Sequence, residues 1–300
     1  MSESQSRRNA IKNLVTGTAA ISSLTMFSSF NNDPAGAFVN DEPLKNNINH
    51  SVCRWCYGTI PIEEFCAAAK KMGIKGIDLV GPKDWPVLKK HGLYSSMCNG
   101  AEINLEDGFN DKKFHDQLVK NYTEYIPQME REGYKNVICF SGSRRGVDDE
   151  TGLNNCAEGI KKILSIAEKH KVTVVMELLN SRVDHKDYQC DKSAWGIELC
   201  KRVGSENFKL LYDIYHMQID EGDVIRTIRD NHQYFAHYHT GGVPGRHEID
   251  ESQELYYPAI MKAIVETGFK GFVAQEFIPS SKDHGEQLAS LKNAVKICDV

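Results

Sequence analysis

No stretch of the 300-residue chain is apolar over the ~18 positions that a bilayer-spanning helix needs, which excludes an ordinary membrane span. Basic charge is not in excess either: 36 Lys and Arg against 41 Asp and Glu leave a net charge of −5. Phosphate backbones are gripped by clustered Lys and Arg, so this balance argues against a nucleic-acid partner. A disulfide framework is missing, because the nine cysteines are odd in number and irregular in spacing. Cys139 falls in an apolar strand pattern and Cys66 and Cys200 in helical ones, where a thiol behaves as a small hydrophobe. Cys53-Arg-Trp-Cys56 is suggestively spaced but has no second pair to complete a zinc or redox motif. The chain also lacks a Gly-rich nucleotide-binding turn after its first strand, where the sequence reads SVCRWCYG.

The N-terminus is read as separate from the fold. Ser6-Arg7-Arg8-Asn9-Ala10-Ile11-Lys12 precedes a mildly apolar run that ends in Ala35-Gly36-Ala37, an A-x-A cleavage pattern. This resembles a twin-arginine export signal over residues 1–37, with Ala10 where Phe is common. It implies the twin-arginine export machinery as a partner and a periplasmic or exported location. That route carries proteins already folded, which suits reduced thiols and a preloaded metal. The remaining 38–300 form the expected catalytic domain, close to the usual size of a (β/α)8 barrel.

Within that domain, short apolar runs alternate with helical patterns. Strands are expected over 51–55, 76–80, 94–98, 136–140, 172–176, 208–212, 234–239 and 271–275. Helices are expected between and after them, including 112–132 with a kink or restart at Pro127, and 154–170. The strands are continuous apolar runs, as in sheets buried on both faces, so the fold class is α/β, a single parallel (β/α)8 barrel. A doubly wound open sheet is the alternative.

Four of the strands end on a residue that is costly to bury without a partner: Glu177, Asp213, His239 and Glu276. Strand ends five to eight are neighbours along one side of a barrel mouth, where such barrels place their catalysis. Two Glu, one Asp and one His make a site for a single hard or borderline divalent ion, with Mn2+ the best fit and Mg2+, Co2+ or Zn2+ admissible. Such an ion can take adjacent oxygens of a hydroxy-carbonyl compound and acidify its carbon-bound proton. Glu177 and Glu276 are assigned the acid–base work as well as ligation, passing that proton through an enediolate. Asp213 and His239 serve as ligands alone. His216 in D-x-x-H-M, the Asp184, His185 and Lys186 cluster in the loop after the fifth strand, and Arg246 are candidate substrate contacts. A capping role for His216, a solvated cluster at 184–186 and a surface Arg246 are the bland alternatives. His237 reads as a hydrogen-bonded core histidine one layer below His239.

Together, M-E-L-L-N at 176–180, Y-D-I-Y-H-M-Q at 212–218, H-Y-H at 237–239, P-G-x-x-E-I at 244–249 and Q-E-F-I-P at 275–279 resemble the hydroxypyruvate isomerase branch of the xylose-isomerase-like TIM barrels. The resemblance spans 49–297 and extends to the ketose 3-epimerases. It implies a single metal and proton-transfer isomerisation or epimerisation. The family's metal positions fall on Glu177, Asp213, His239 and Glu276, its acid–base pair on the two glutamates and its substrate histidine on His216. The third ligand is His239, as in the sugar epimerases, where hydroxypyruvate isomerases carry Gln, and the H-R-G element after that position is absent.

The expected function is therefore a metal-dependent isomerase of a small hydroxy-carbonyl compound, with a ketose or sugar 3-epimerase as the alternative. An endonuclease IV-like nuclease and a non-catalytic exported sugar-binding barrel are the readings of another class. Oligomeric state is left open, a homo-oligomer included.

Overall fold

The computed structural model describes residues 43–300; the export-signal assignment at 1–37 lies outside the described residues. Eight parallel strands close into a barrel in sequence order. They are β1 (Asn49–Cys53), β2 (Gly76–Val80), β3 (Tyr94–Cys98), β4 (Asn136–Cys139), β5 (Thr173–Glu177), β6 (Phe208–Asp213), β7 (Phe235–Thr240) and β8 (Phe272–Gln275). Strand β8 returns to β1, pairing Asn49 with Phe272 and Val52 with Gln275, so no sheet edge is left open. The open-sheet alternative is thereby excluded.

The helices are α1 (Ile62–Lys71), α2 (Trp85–Lys90), α3 (His115–Glu132), α4 (Asp149–Lys169), α5 (Ser193–Val203), α6 (Ile214–Asp220), α7 (Val224–Asn231), α8 (Tyr257–Glu266) and α9 (His284–Cys298). Helix α3 runs through Pro127 without the expected interruption. Tyr122, Tyr125, Ile126 and Met129 anchor its buried face on both sides of the missing N–H. It stops at Gly133, whose φ of 84° is the left-handed C-terminal conformation. Helix α4 begins at Asp149, five residues before the expected 154, because the Asp148 carboxylate accepts from Thr151 N at 2.9 Å and caps it. Helix α6 was not expected at all. It is capped by Asp213, which accepts from His216 N at 3.2 Å.

Outward-facing strand residues and the helices form one hydrophobic core, while Met97, Ile138, Val175 and Leu211 form a smaller cluster inside the barrel. Strand alternation accounts for the split: Leu210 and Tyr212 face the helices, Leu211 and Asp213 the lumen. In β2 the register shifts between Asp78 and Val80, and Leu79 takes a φ of 56°. A bulge next to a site re-aims a side chain; here it turns Leu79 into the cavity at the barrel mouth.

Candidate active site

Glu177 and Asp213 are the last residues of β5 and β6, His239 is the penultimate residue of β7, and Glu276 follows β8 directly. All four side chains are buried. His239 Nδ1 lies 2.7 Å from Glu276 Oε2, 3.3 Å from Glu177 Oε1 and 4.0 Å from Asp213 Oδ2. One donor atom from each residue falls within 4.8 Å of every other. The four expected ligands therefore converge on one point. Glu177 Oε1 is buried without a hydrogen-bond partner among the described protein atoms. Three carboxylates and an imidazole turned inward at one point fit a divalent cation of oxygen-preferring chemistry.

The electrostatics show the strain of that arrangement. Burial and the neighbouring carboxylates, opposed by Arg246, push the Asp213 carboxyl up to about 8. Burial also disfavours ionised Glu276, but His239 and Arg246 hold it well below the usual carboxylate range. Burial opposes protonation of His239, yet Cys53, Glu276 and Asp78 together raise it well above an ordinary histidine. Crowded acids of this kind are relieved by positive charge, which a bound cation supplies.

The groups around the quartet tie it down. Arg246 is largely buried; its Nη2 reaches Glu276 Oε2 at 2.5 Å and Asp213 Oδ2 at 3.2 Å, so the surface alternative for it is excluded. Its guanidinium lies between the rings of Trp55, at 5.4 Å, and Tyr215, at 5.2 Å. Trp55 Nε1 donates to Glu276 Oε1 at 2.8 Å. Above these groups opens a cavity of about 400 Å3. Glu177, Glu276, Arg246, His185 and Asn99 give it polar groups, and Leu79, Leu105, Phe140, Leu179 and Trp55 form the rest of its wall.

Three expected substrate contacts sit differently. His216 is fully buried and does not line the cavity. Its Nδ1 accepts from Asn180 Nδ2 at 2.6 Å, and its Nε2 points toward Asp213 Oδ2 at 3.6 Å. Burial, with Arg246 and His185 nearby, keeps the ring neutral. Asp184 points its carboxylate at Asn180 Nδ2, at 2.7 Å, and Tyr215 OH, at 2.8 Å, instead of lining the cavity. Lys186 is exposed and away from the lining, because the tight turn that brings His185 inward sends its neighbour outward. His237 is a buried core histidine as expected, 2.5 Å from Asp78 Oδ2.

Sequence reasoning missed Asp78, Trp55, Asn180 and Leu79, while His185 belongs to the expected 184–186 loop cluster and does line the cavity. An acid inside the apolar run GIDLV was a legible signal for Asp78, of the same kind that exposed the quartet. Nothing local marks Leu79. Asp78 also joins Cys53 and His239 in a second group of potential donors, which shares its histidine with the quartet. The nine cysteines are all free thiols, so Cys53 and Cys56 form no redox bridge.

The chain is 34% identical over 122 residues to 2-oxo-tetronate isomerase of Cupriavidus necator, a stretch covering 41% of this chain and 46% of that one. In that match the chain spans less than half of the relative's length. Among solved structures, an AP endonuclease, family 2, from Brucella melitensis superposes with a TM-score of 0.72 at 24% identity, over 81% of this chain and 97% of its own. D-psicose 3-epimerase from Clostridium cellulolyticum, crystallised with D-tagatose, superposes with a TM-score of 0.68 at 16% identity, over 84% and 100%. At those identities the superpositions speak for the fold alone. A model of the xylose isomerase-like TIM barrel family matches residues 62–294, most of the chain, and the protein belongs to that family.

Proposed function

We propose that this protein is a metal-dependent isomerase of a small hydroxy-carbonyl compound. The observation that carries the reading is the convergence of Glu177, Asp213, His239 and Glu276 within 4.8 Å on the floor of an open cavity. The four residues would hold one divalent ion, Mn2+ by preference, which when bound draws electron density from the substrate carbonyl and acidifies the adjacent C–H.

The chain's own residues divide the remaining work. Glu177, with Oε1 free of protein hydrogen bonds, lines the cavity and is the base that takes the carbon-bound proton. Arg246 sets its positive charge where negative charge gathers on the substrate oxygens as the enediolate forms. Glu276, fixed by Trp55 and Arg246, takes up a proton from solvent and delivers it to the substrate, while Glu177 releases the abstracted proton to solvent. Delivery to the neighbouring carbon gives an aldose–ketose exchange; return to the opposite face of the same carbon gives epimerisation. The 3-epimerase alternative is favoured by His239 as third donor and uses the same groups.

The nuclease reading draws support only from fold-level likeness, and the acidic chain opposes a DNA backbone. A sugar-binding barrel without chemistry would not need two glutamates at the donor point. The proposal extends to export by the twin-arginine route on the strength of the Arg7-Arg8 leader and the Ala35-Gly36-Ala37 pattern. Cell fractionation of the full chain against an Arg7→Lys, Arg8→Lys variant tests it: loss of the periplasmic pool is expected.

The experiment for the catalytic reading is metal content followed by proton exchange. About one divalent ion per chain is expected, with incorporation of solvent deuterium at the carbon next to the carbonyl of a turned-over hydroxy-carbonyl substrate. About three zinc ions per chain would favour the nuclease. Ligand binding across a broad sugar panel with no deuterium uptake would favour the binding protein.

A further inference from the structure

Directly beneath the quartet lies a polar layer that the proposed chemistry does not use. Asp78 stands on β2, separated from β7 by β1 and β8, and is fully buried. Its Oδ2 accepts from His237 Nε2 at 2.5 Å and from His239 Nε2 at 3.2 Å, while its Oδ1 accepts the Ser96 hydroxyl. The Cys53 thiol sits 3.7 Å from the same His239 nitrogen. His237 Nδ1 has no hydrogen-bond partner among the described residues, so the ring makes its one side-chain hydrogen bond to Asp78. A buried acid reached by three donors from β3 and β7 is costly to assemble for packing alone.

We propose that Asp78, clamped by His237 and Ser96, is the positioning residue that fixes the ring orientation and tautomer of His239 and thereby sets the quartet's affinity for its cation. The proposal rests on the reading of His239 as a ligand. An imidazole binds a cation through a nitrogen that carries no proton, so its proton must reside on the other nitrogen. Both ring nitrogens face carboxylates, Nδ1 toward Glu276 at 2.7 Å and Nε2 toward Asp78 at 3.2 Å; a cation replaces the proton at Nδ1, which faces Glu177, Asp213 and Glu276, and the Asp78 carboxylate holds the other at Nε2. Asp78 is shut off from the cavity, so it touches neither substrate nor reacting atoms.

The test is Mn2+ titration of the chelator-stripped full chain, read by the paramagnetic resonance of free Mn2+, for wild type, Asp78→Asn and His237→Gln. Asp78→Asn is expected to weaken Mn2+ by about 10–100-fold, with a smaller loss in the same direction for His237→Gln. The Zn2+-loaded wild type should also show a strongly hydrogen-bonded His239 N–H proton resonance that Asp78→Asn removes. A merely structural acid would lower the melting midpoint of the metal-free variants while leaving the affinity and the proton signal of the folded protein intact, and that result would overturn the proposal. Selective loss of a second equivalent of Zn2+ in Cys53→Ala would overturn it too, since Asp78 would then be a ligand. Absence of Mn2+ binding in the wild type would remove the ligand reading and this inference together. Should Asp78→Asn fail to fold, His237→Gln, which leaves the carboxylate in place, decides the matter by the same two readouts.

Discussion

The lumen of the barrel has two unlike halves. On β3 to β6 it is filled by Met97, Ile138, Val175 and Leu211, an apolar plug with no donor or acceptor on its side chains. On β1, β2 and β7 the lumen instead holds Cys53, Asp78 and His237, level with or just below His239 and linked to it by polar contacts. Both halves are fully buried, so exposure does not distinguish them. What differs is what each supports. The apolar half packs beneath the Phe140 and Leu79 wall of the cavity, whereas the polar half braces the quartet. A barrel needs only the first kind of interior to be stable, and the second is tolerated because it prepares a site.

The sharpest way to break this contrast is at the top of the polar half. Glu276→Gln keeps the shape of the side chain but removes a charge that faces His239 and Arg246. Turnover is expected to fall by about 10²–10⁴-fold with the fold retained, measured by deuterium uptake into substrate alongside circular dichroism. In the apolar half, Ile138→Ala should do the reverse. It is expected to cost about 2–5 kcal/mol of stability by leaving a cavity in a packed cluster, while metal content per folded chain stays at the wild-type level. Denaturant unfolding and metal analysis on the same sample check both statements.

A smaller effect is expected behind the polar half, on the outer face of β1. There His50 is buried 3.8 Å from Asp299, and burial, outweighing that acid, lowers its pKa from 6.5 to about 4. The unfolded chain takes up this proton near pH 6.5 and the folded chain only near 4. The stability contribution is therefore intact above pH 6.5 and is lost as pH falls toward 4. The loss should be on the order of 3 kcal/mol, and the difference between wild type and His50→Asn should shrink across that window.

Much of this was legible without coordinates. Strands β2 and β3 fall at the expected bounds, and the other six are shifted by one or two residues at one or both ends. Continuous apolar runs that alternate with helical periods leave few choices. Glu177, Asp213, His239 and Glu276 were visible because burying charge at a strand end demands a partner. The short connection after Asp213 hid helix α6, whose start depends on the same carboxylate acting as a cap. Which side chain of the 184–186 loop turns toward the cavity was not legible, since a turn's direction is set by contacts such as Asn180 with His216 and Asp184, far from any periodic pattern.

Local chemistry thus determined the alternation of strands with helices and the four strand-end candidates, because side-chain periodicity and burial cost act within a few residues. Only tertiary structure decided which distant groups meet. Asp78 reaches His239 across 161 positions of sequence, Trp55 reaches Glu276 across 221, and Arg246 folds back onto the quartet instead of into solvent. Closing the sheet sets those meetings: it joins β1 to β8 and so brings the lumen-facing side chains of β2 and β7, with only those two strands between them, within reach of each other, and no single segment encodes that closure.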